Sequence, residues 1–433
     1  MLESSVSPLH HTWVTVPLHS DFPIQNIPFG VFLTPDDVVT IGTRIGDTAI
    51  DLGAMHRLGY FDGIALADDI FMQDSLNDFI SDGKKTWRLV RNRIAEIFDA
   101  DNPVLRDNVA HRAMILFDLE EIEMQLPVRI GDHTNFYSSK DQISHMENLK
   151  KINHYEDFLV SPLSFPLGYH GRSSSIVPSG IPIHRPFGQI LPKDASKLAL
   201  LPSNEIDFEL EMAFITTDVN VLGESISVEE AEDYIFGMVL FNNWAARDIQ
   251  RWERTQPISS FLATNFASSM SAWVVTMDAL APFKVLKEKQ NPEPLPYLQK
   301  KENHTYDIEL EVFLTNQKGN RTLISKTTYL TTFWTMAQQL AHHTIGGCKV
   351  NSGDLMSSGV ISGGTAESGG SLLEITNGGE HQIRLNDGTN RIYLNDNDTI
   401  TISGHCKKHN LRIGFGQVSN MLLAPWLKKN LSN

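Results

Sequence analysis

The most informative hydrophobic pattern is an unbroken apolar run at 235–241 that ends in two asparagines, Asn242 and Asn243. Its length is typical of a buried strand. Arg247 and Gln250 follow, three positions apart, so they share one face of a helical turn. Such amide and guanidinium groups can bind an oxygen-rich ligand, although a surface helix with charge pairs has the same pattern. The sequence shows no carboxylate at the end of this strand, where a metal site would usually have one.

Other segments alternate in polarity or follow helical spacing. Apolar and acidic residues alternate at 306–314, which predicts a half-buried strand. Short strand-like pieces separated by turn residues at 20–52 predict a small β-barrel or meander. Apolar residues at helical spacing predict a helix over 84–98.

Strand signals dominate after Leu126-Pro127, which is the expected entry into a second domain. The patterns therefore predict a mostly β (α+β) chain. We expect one domain at 1–126 and a larger one at 127–433.

Composition excludes several classes of protein. The chain has 433 residues, a formal net charge of −16 and only 2 cysteines. This charge opposes binding to nucleic acid or to an anionic membrane surface, and two cysteines cannot form a disulfide framework or a four-cysteine zinc site. The first 20 residues lack the pattern of a secretory signal, and no apolar stretch reaches the length of a membrane span. We expect a cytoplasmic protein.

Glu209 and Glu211 are the first candidates for chemistry. Residues two apart in a strand point to the same side, so both carboxylates would lie together. A carboxylate pair binds a hard divalent cation, or shares a proton as an acid–base pair. The same spacing also occurs on solvated strand faces, and Glu309 and Glu311 repeat the pattern in this chain. The pattern alone leaves these alternatives open.

Three other polar segments are more typical of structure than of chemistry: the turn-like Gly131–Ser139, the segment Leu167–Arg172, and His342–His343. Adjacent histidines point apart in a helix or strand, so they seldom share one ion. The sequence contains no Gly-x-Ser-x-Gly elbow, phosphate loop or dinucleotide fingerprint.

Taken together, these segments resemble the fumarylacetoacetase (fumarylacetoacetate hydrolase) family over nearly the whole chain. The segments that carry the resemblance are Asp21–Asn26, Gly131–Ser139, Gly168–Arg172, Phe208–Phe214, Phe236–Glu253, Ser271–Phe283, Trp334–His343, Gly353–Asp354, Ser358–Gly363 and Gly404–Cys406. The resemblance implies a small N-terminal SH3-like barrel, a large C-terminal β-roll and a homodimer.

The same resemblance implies a reaction. Members of the family hydrolyse a carbon–carbon bond in a β-diketo acid, and calcium or magnesium orients the diketone oxygens. A histidine supported by a glutamate activates water, while Arg, Gln and Lys stabilise the developing negative charge. The expected ligand is therefore a small anionic diketo acid or a related polyketone.

Several of the roles implied by the resemblance fall on matching residues. Two metal carboxylates fall on Glu209 and Glu211, the substrate-binding Arg and Gln on Arg247 and Gln250, two substrate tyrosines on Tyr137 and Tyr169, and the glutamate that supports the base on Glu374. A ligand site is therefore expected.

Five positions depart from the family pattern. Two metal aspartates are replaced by Asn135 and Asn243, the water-activating histidine by Gln142, the oxyanion lysine by Thr264, and a substrate-contacting threonine by Val360. Losing two ligand charges weakens cation binding, so the metal is expected to be weak or absent. Losing the base costs ~10²–10⁴ in rate, and losing the oxyanion donor another ~10²–10³.

Two substitutes for the missing base are conceivable. His145 lies three residues after Gln142 and would share its face in a helix. Without a metal, mutual repulsion between Glu209 and Glu211 would raise the pKa of one of them and create an acid or base. The sequence thus supports an impaired or altered hydrolase. It also allows a family member that isomerises, decarboxylates or joins polyketones with little metal dependence, or a non-catalytic ligand-binding relative.

Overall fold

The computed structural model describes residues 11–140, 163–192, 197–254 and 261–426. The N-terminal part contains a five-stranded antiparallel sheet in the order β4-β3-β2-β1-β5. Its strands are β1 (Gly30–Leu33), β2 (Val39–Ile45), β3 (Thr48–Asp51), β4 (Leu116–Asp118) and β5 (Glu123–Met124). Strands β1 to β3 confirm the predicted meander. An SH3-like barrel stays a prediction.

Five short helices lie between β3 and β4: α1 (Leu52–Arg57), α2 (Asn77–Ser81), α3 (Gly83–Ile97), α4 (Pro103–Arg106) and α5 (Val109–Ile115). The prediction of a helix at 84–98 is confirmed by α3. Its apolar face buries Trp87, Val90 and Ile94, as the spacing of these residues indicates. None of the helices within the described residues is long and apolar enough to span a bilayer.

The rest of the chain is mostly strand. Its strands are β6 (His133–Phe136), β7 (Gly168–His170), β8 (Ile176–Pro178), β9 (Ile183–His184), β10 (Phe187–Ile190), β11 (Ala199–Pro202), β12 (Ile206–Asp207), β13 (Leu210–Thr216), β14 (Ile235–Asn243), β15 (Ala245–Ala246), β16 (Ser268–Met270), β17 (Val275–Thr276), β18 (Lys284–Leu286), β19 (His304–Tyr306), β20 (Glu309–Thr315), β21 (Arg321–Thr328), β22 (Leu355–Ser357), β23 (Ile383–Arg384), β24 (Asn390–Arg391), β25 (Thr399–Lys408) and β26 (Leu411–Leu423). The α-helices among them are α6 (Arg247–Glu253), α7 (Leu262–Asn265), α8 (Met277–Leu280), α9 (Met336–Thr344) and α10 (Leu372–Ile375). The prediction of a mostly β chain is confirmed.

An eight-stranded sheet occupies the centre of the molecule. Its main path is β7-β6-β22-β13-β14-β16-β8, and β17 pairs with β14. Every residue of β13 and β14 is buried. One face of β14 packs in the N-terminal core through Val239 and Phe241, and the other packs in the C-terminal core through Met238 and Leu240. Burial on both faces explains why the run at 235–241 is apolar without alternation.

A second large sheet has the order β21-β20-β25-β26-β9. Strand β20 alternates buried and partly exposed residues, which confirms the half-buried strand predicted at 306–314. The division into domains at 1–126 and 127–433 stays a prediction, because the N-terminal core also contains side chains from β13 and β14.

Candidate active site

The candidate site lies where the end of β14 meets the start of β13. Antiparallel pairing sets Leu210 opposite Asn242, and the backbone N–H of Asn243 donates to the carbonyl of Glu209 over 3.2 Å. Strand β22 lies beside β13 and brings in β6 with Asn135. The fold thus gathers the four predicted metal positions, Asn135, Glu209, Glu211 and Asn243, from three separate segments.

Amide nitrogens join these four residues. Asn135 Nδ2 donates to Glu211 Oε1 over 3.0 Å, and Asn243 Nδ2 donates to Glu209 Oε2 over 2.9 Å. Both nitrogens also contact Tyr169 Oη, at 3.1 and 3.0 Å. Tyr169 reaches this position because β7 pairs it directly with Asn135 in β6. Two carboxylates, two amides and one phenol therefore form a single network.

Tyr137 lies beside this network. Its ring centroid is 5.9 Å from that of Tyr169, with a tilt of 43° between the rings. Burial raises the pKa of both phenols above the ordinary value, and the nearby Glu209 and Glu211 add to that increase. Both hydroxyls consequently keep their protons at neutral pH and can donate a hydrogen bond. The two predicted substrate tyrosines are brought together.

Arg247 begins α6 and is buried beside three polar side chains. Its Nη1 donates to Glu209 Oε1 over 2.8 Å and to Gln250 Oε1 over 3.1 Å, and its Nε donates to Asp207 Oδ2 over 2.8 Å. Arg247 and Gln250 are only 5% and 6% exposed, so the surface-helix alternative is wrong. Burial alone would lower the pKa of Arg247, but the Asp207 and Glu209 carboxylates raise it above its ordinary value.

Asp207 is a site residue that the sequence interpretation missed. It is fully buried, and its carboxylate also accepts from the backbone N–H groups of Leu372 and Leu373, at 2.6 and 3.0 Å. It reaches Arg247 because Asp207 pairs with Ala245 across β12 and β15. The sequence has no carboxylate at the end of β14, but the folded chain places two there, Asp207 and Glu209, from the segment that leads into β13. The sequence signal that could have identified Asp207 is the alternation of acidic residues at 207, 209 and 211.

Glu211 has the most perturbed carboxyl group of this network. It is 0% exposed, and burial together with the nearby Glu209 raises its pKa well above the ordinary value. Burial also raises the pKa of Asp207, although Arg247 opposes the increase. Glu211 Oε2 and Asn135 Oδ1 are buried with no hydrogen-bond partner among the described residues. Hydrogen bonds to Glu211, of which that from Asn135 is the first, oppose this increase in its pKa only in part.

Glu374 and Val360 lie along the adjoining segment. Glu374 Oε2 accepts from Ser362 Oγ over 2.6 Å and from the backbone N–H of Gly370 over 2.9 Å. Val360 is 3% exposed and packs against Gly370, where an added Cβ would lie 2.5 Å from Val360 Cγ1. Ser371 then pairs with Glu209 by an isolated bridge. Both predicted positions thus belong to the segment that adjoins the carboxylates.

Three remaining predictions have different outcomes. Thr264 is buried in the short helix α7, and within the described ranges its hydroxyl makes no hydrogen bond to the carboxylate network. Gln142 and His145 lie outside the described residues. The predictions that Gln142 occupies the base position and that His145 could substitute for it therefore stay predictions.

Comparison with known proteins identifies the family. A family model described as Fumarylacetoacetase N-terminal matches residues 25–127, and one described as Fumarylacetoacetate (FAA) hydrolase C-terminal matches residues 135–422. The chain belongs to the fumarylacetoacetate hydrolase family. This confirms the resemblance seen in the sequence.

Individual relatives extend the match to almost full length. Fumarylacetoacetases from Dictyostelium discoideum and Homo sapiens are 42% and 41% identical over 420 and 418 residues. The alignments cover 95% of this chain in both cases, and 97% and 98% of the relatives. The structure of a fumarylacetoacetate hydrolase from Exiguobacterium antarcticum superposes with a TM-score of 0.51 at 16% identity, covering 92% of this chain and 99% of that one. That structure supports the shared fold.

Fumarylacetoacetate hydrolases depend on calcium or magnesium, and the donor set in this chain can be tested against such an ion. A hard cation needs oxygens directed at it. Here the nitrogens of Asn135 and Asn243 face the carboxylates, while Asn243 Oδ1 accepts from Ser268 Oγ over 3.1 Å. Among the residues that the structure describes, no cluster of three acidic, His or Cys side chains suits a metal. This arrangement does not fit a divalent cation.

Proposed function

We propose that this member of the fumarylacetoacetate hydrolase family hydrolyses a carbon–carbon bond in a small anionic β-diketo acid. The observation that carries the proposal is the near-complete match to fumarylacetoacetases at 42% identity, with 95% of the chain aligned. The gathering of Tyr137, Tyr169 and the carboxylates in one buried network supports a site that holds such a ligand. Relatives named for hydrolysis favour this function over isomerisation, decarboxylation, carbon–carbon bond formation or mere binding.

The chain's own groups have separable roles in this proposal. The Tyr169 and Tyr137 hydroxyls donate to the diketone oxygens, because their raised pKa values keep them protonated. Arg247 fixes Glu209 in place, and its charge is already balanced by Asp207 and Glu209. Glu374 is held by Ser362 and Gly370, and its proposed role is to support the group at the base position.

We further propose that hydrolysis is slow. Gln142 cannot accept a proton near neutral pH, and general base catalysis contributes ~10²–10⁴ in rate. Thr264 offers no positive charge where the family pattern has lysine, which removes another ~10²–10³. A site with these two changes still binds its ligand but stabilises the transition state less.

The direct test is loss of diketone absorbance when purified protein is mixed with fumarylacetoacetate. We expect slow turnover by the natural chain. The fourfold variant Asn135→Asp, Gln142→His, Asn243→Asp and Thr264→Lys should be faster by at least ~10² when magnesium or calcium is added. Glu309→Gln, on the partly exposed strand β20, is the matched control and should leave turnover unchanged. Turnover by neither protein would overturn the proposal.

Assembly and cellular location belong to the same proposal. Following the family resemblance, we propose a homodimer in the cytoplasm. Sedimentation equilibrium should give twice the mass of the 48.5 kDa chain. A monomer at micromolar concentration would contradict the dimer, and fractionation of cells would test the compartment.

A further inference from the structure

Tyr169 Oη is held from two sides by strands of the central sheet. Asn135 Nδ2 lies 3.1 Å from it and Asn243 Nδ2 lies 3.0 Å from it. Each amide nitrogen has two hydrogens, and each has a second acceptor, Glu211 for Asn135 and Glu209 for Asn243. We call this pair of asparagines the amide clamp. All four of its N–H groups have an acceptor within the network.

The amide clamp fixes the direction of the Tyr169 proton. A phenol oxygen donates through one O–H and accepts through its lone pairs. Because two amide N–H groups approach the oxygen, its own O–H must be directed at a different acceptor. Among the described residues, none is recorded as accepting from this hydroxyl. Within the part of the chain that the structure describes, the Tyr169 O–H is therefore available to donate to a bound ligand.

We propose that the amide clamp takes the place of the divalent cation: it holds Glu209 and Glu211 together and presents the Tyr169 hydroxyl to a carbonyl or enolate oxygen of the ligand. This inference rests on the proposed function for the chemical class of the ligand. Asn135 and Asn243 are positioning residues, and Tyr169 is the residue that touches the ligand.

The orientation of the Asn135 and Asn243 amides distinguishes a site held together by the amide clamp from a site built for a cation. If both amides were turned over, Asn135 Oδ1 would lie near Glu211 Oε1 and Asn243 Oδ1 near Glu209 Oε2, at the separations of 3.0 and 2.9 Å now spanned by hydrogen bonds. Facing oxygens at that distance repel unless a cation or proton lies between them. In the orientation present, the outward Asn243 Oδ1 also has a partner, because the Ser268 hydroxyl donates to it over 3.1 Å.

Metal titration tests the clamp without any turnover. Protein treated with EDTA is melted with and without calcium or magnesium, and heats of binding are recorded. We expect no metal-dependent rise in Tm for the natural chain. The double variant Asn135→Asp/Asn243→Asp should melt lower without metal and recover as metal is added, since a ligand that binds only the folded state raises stability. Equal metal affinity of the two proteins would overturn the inference.

Ligand binding tests the Tyr169 hydroxyl. Acetylpyruvate, a small β-diketo acid, serves as the probe in EDTA, with ligand-induced shifts in melting as the readout. Tyr169→Phe should weaken binding roughly 3- to 10-fold, the value of one hydrogen bond. Tyr329→Phe removes the hydroxyl of a buried tyrosine outside the network and should leave binding unchanged. Equal binding by Tyr169→Phe and the natural chain would contradict the assignment.

The outcomes for clamp and hydrolase are distinguishable. Binding of acetylpyruvate in EDTA without cleavage of fumarylacetoacetate would support the amide clamp and overturn the proposed hydrolysis. Cleavage that appears only when calcium or magnesium is added would support hydrolysis and overturn the amide clamp. Cleavage in EDTA supports both.

Discussion

Two segments of the chain share a Glu-Leu-Glu motif, but their acidic side chains differ in exposure to solvent and in the groups that they bind. Glu209-Leu210-Glu211 leads into β13, which begins at Leu210, and Glu309-Leu310-Glu311 opens β20. In the first, the Glu209 side chain is 11% exposed and Glu211 is fully buried, and the two carboxylates accept from amides and from Arg247. In the second, the side chains are 46% and 28% exposed and share Lys326, at 3.2 and 3.1 Å. Both leucines are fully buried.

The neighbouring strands cause this difference. Strand β13 lies between β22 and β14 and is covered on both faces, so its acidic residues must find partners inside the protein. Strand β20 leaves one face open to solvent, where water and a flexible lysine suffice. The same three residues thus form a buried polar network or a solvated surface according to what covers them. Six substitutions, which make four tests, would break or sharpen this comparison.

The largest effect is expected from Arg247→Met. This change leaves the Asp207 and Glu209 carboxylates buried without their cation. Removing one partner of a buried ion pair typically costs about 3–5 kcal/mol in the free energy of unfolding. Urea denaturation followed by fluorescence measures the loss. A loss below about 1 kcal/mol would show that the cluster is no more costly to break than a surface pair.

A loss nearly as large, but equal in the two segments, is expected from Leu210→Ala and Leu310→Ala. Both leucines are 0% exposed, and truncating a buried leucine typically costs about 2–5 kcal/mol. The same urea measurement applies. If only one variant were destabilised, the two segments would differ in the packing of the whole strand and not only in their acidic residues.

A smaller, pH-dependent effect is expected from Glu211→Gln. Burial and Glu209 raise the folded-state pKa of Glu211 above its ordinary value of 4.5, so the folded chain holds this proton more tightly than the unfolded chain. The resulting stabilisation is present below the ordinary pKa and is lost as pH rises through the higher folded value. The variant lacks this proton, so its Tm should fall less than that of the natural chain between mildly acidic and alkaline pH.

The matched change for that measurement is Glu311→Gln on β20. Because this side chain faces solvent and Lys326, the variant should follow the pH profile of the natural chain. Identical profiles for Glu211→Gln and the natural chain would contradict the assigned shift.

The smallest effect is expected from Lys326→Met. Its ammonium contacts Glu309 and Glu311, and all three side chains are at least partly exposed to solvent. Such pairs contribute about 0–1 kcal/mol, and salt screens them. The free energy of unfolding should change by less than about 1 kcal/mol and converge with that of the natural chain at high salt. A loss as large as that of Arg247→Met would refute the comparison.

The elements with local signals could be predicted from the sequence. The buried strand β14, the helix α3 and the half-buried strand β20 could be predicted because each has its hydrophobic pattern within one short segment of sequence. The turn onto α6 followed from the spacing of Arg247 and Gln250. Family resemblance then supplied the positions of the site residues.

The contacts within the site could not be predicted, because they depend on pairing between distant segments. Asn135 and Glu211 are 76 residues apart, and β22 must lie between their strands to bring them together. Sequence spacing also gave no sign that the amide nitrogens would face the carboxylates. Asp207 was missed because its partner Arg247 is 40 residues away.

Asp207 has a consequence for motion in the site. Its carboxylate holds Arg247 on one side and the first backbone N–H groups of α10 on the other. Helix α10 carries Glu374, so the residue that steadies Glu209 and the residue expected to support the base share a single anchor. A displacement of Arg247 is therefore passed to the start of α10 through the single carboxylate group of Asp207, so a ligand that moves Glu209 would also move the helix that carries Glu374.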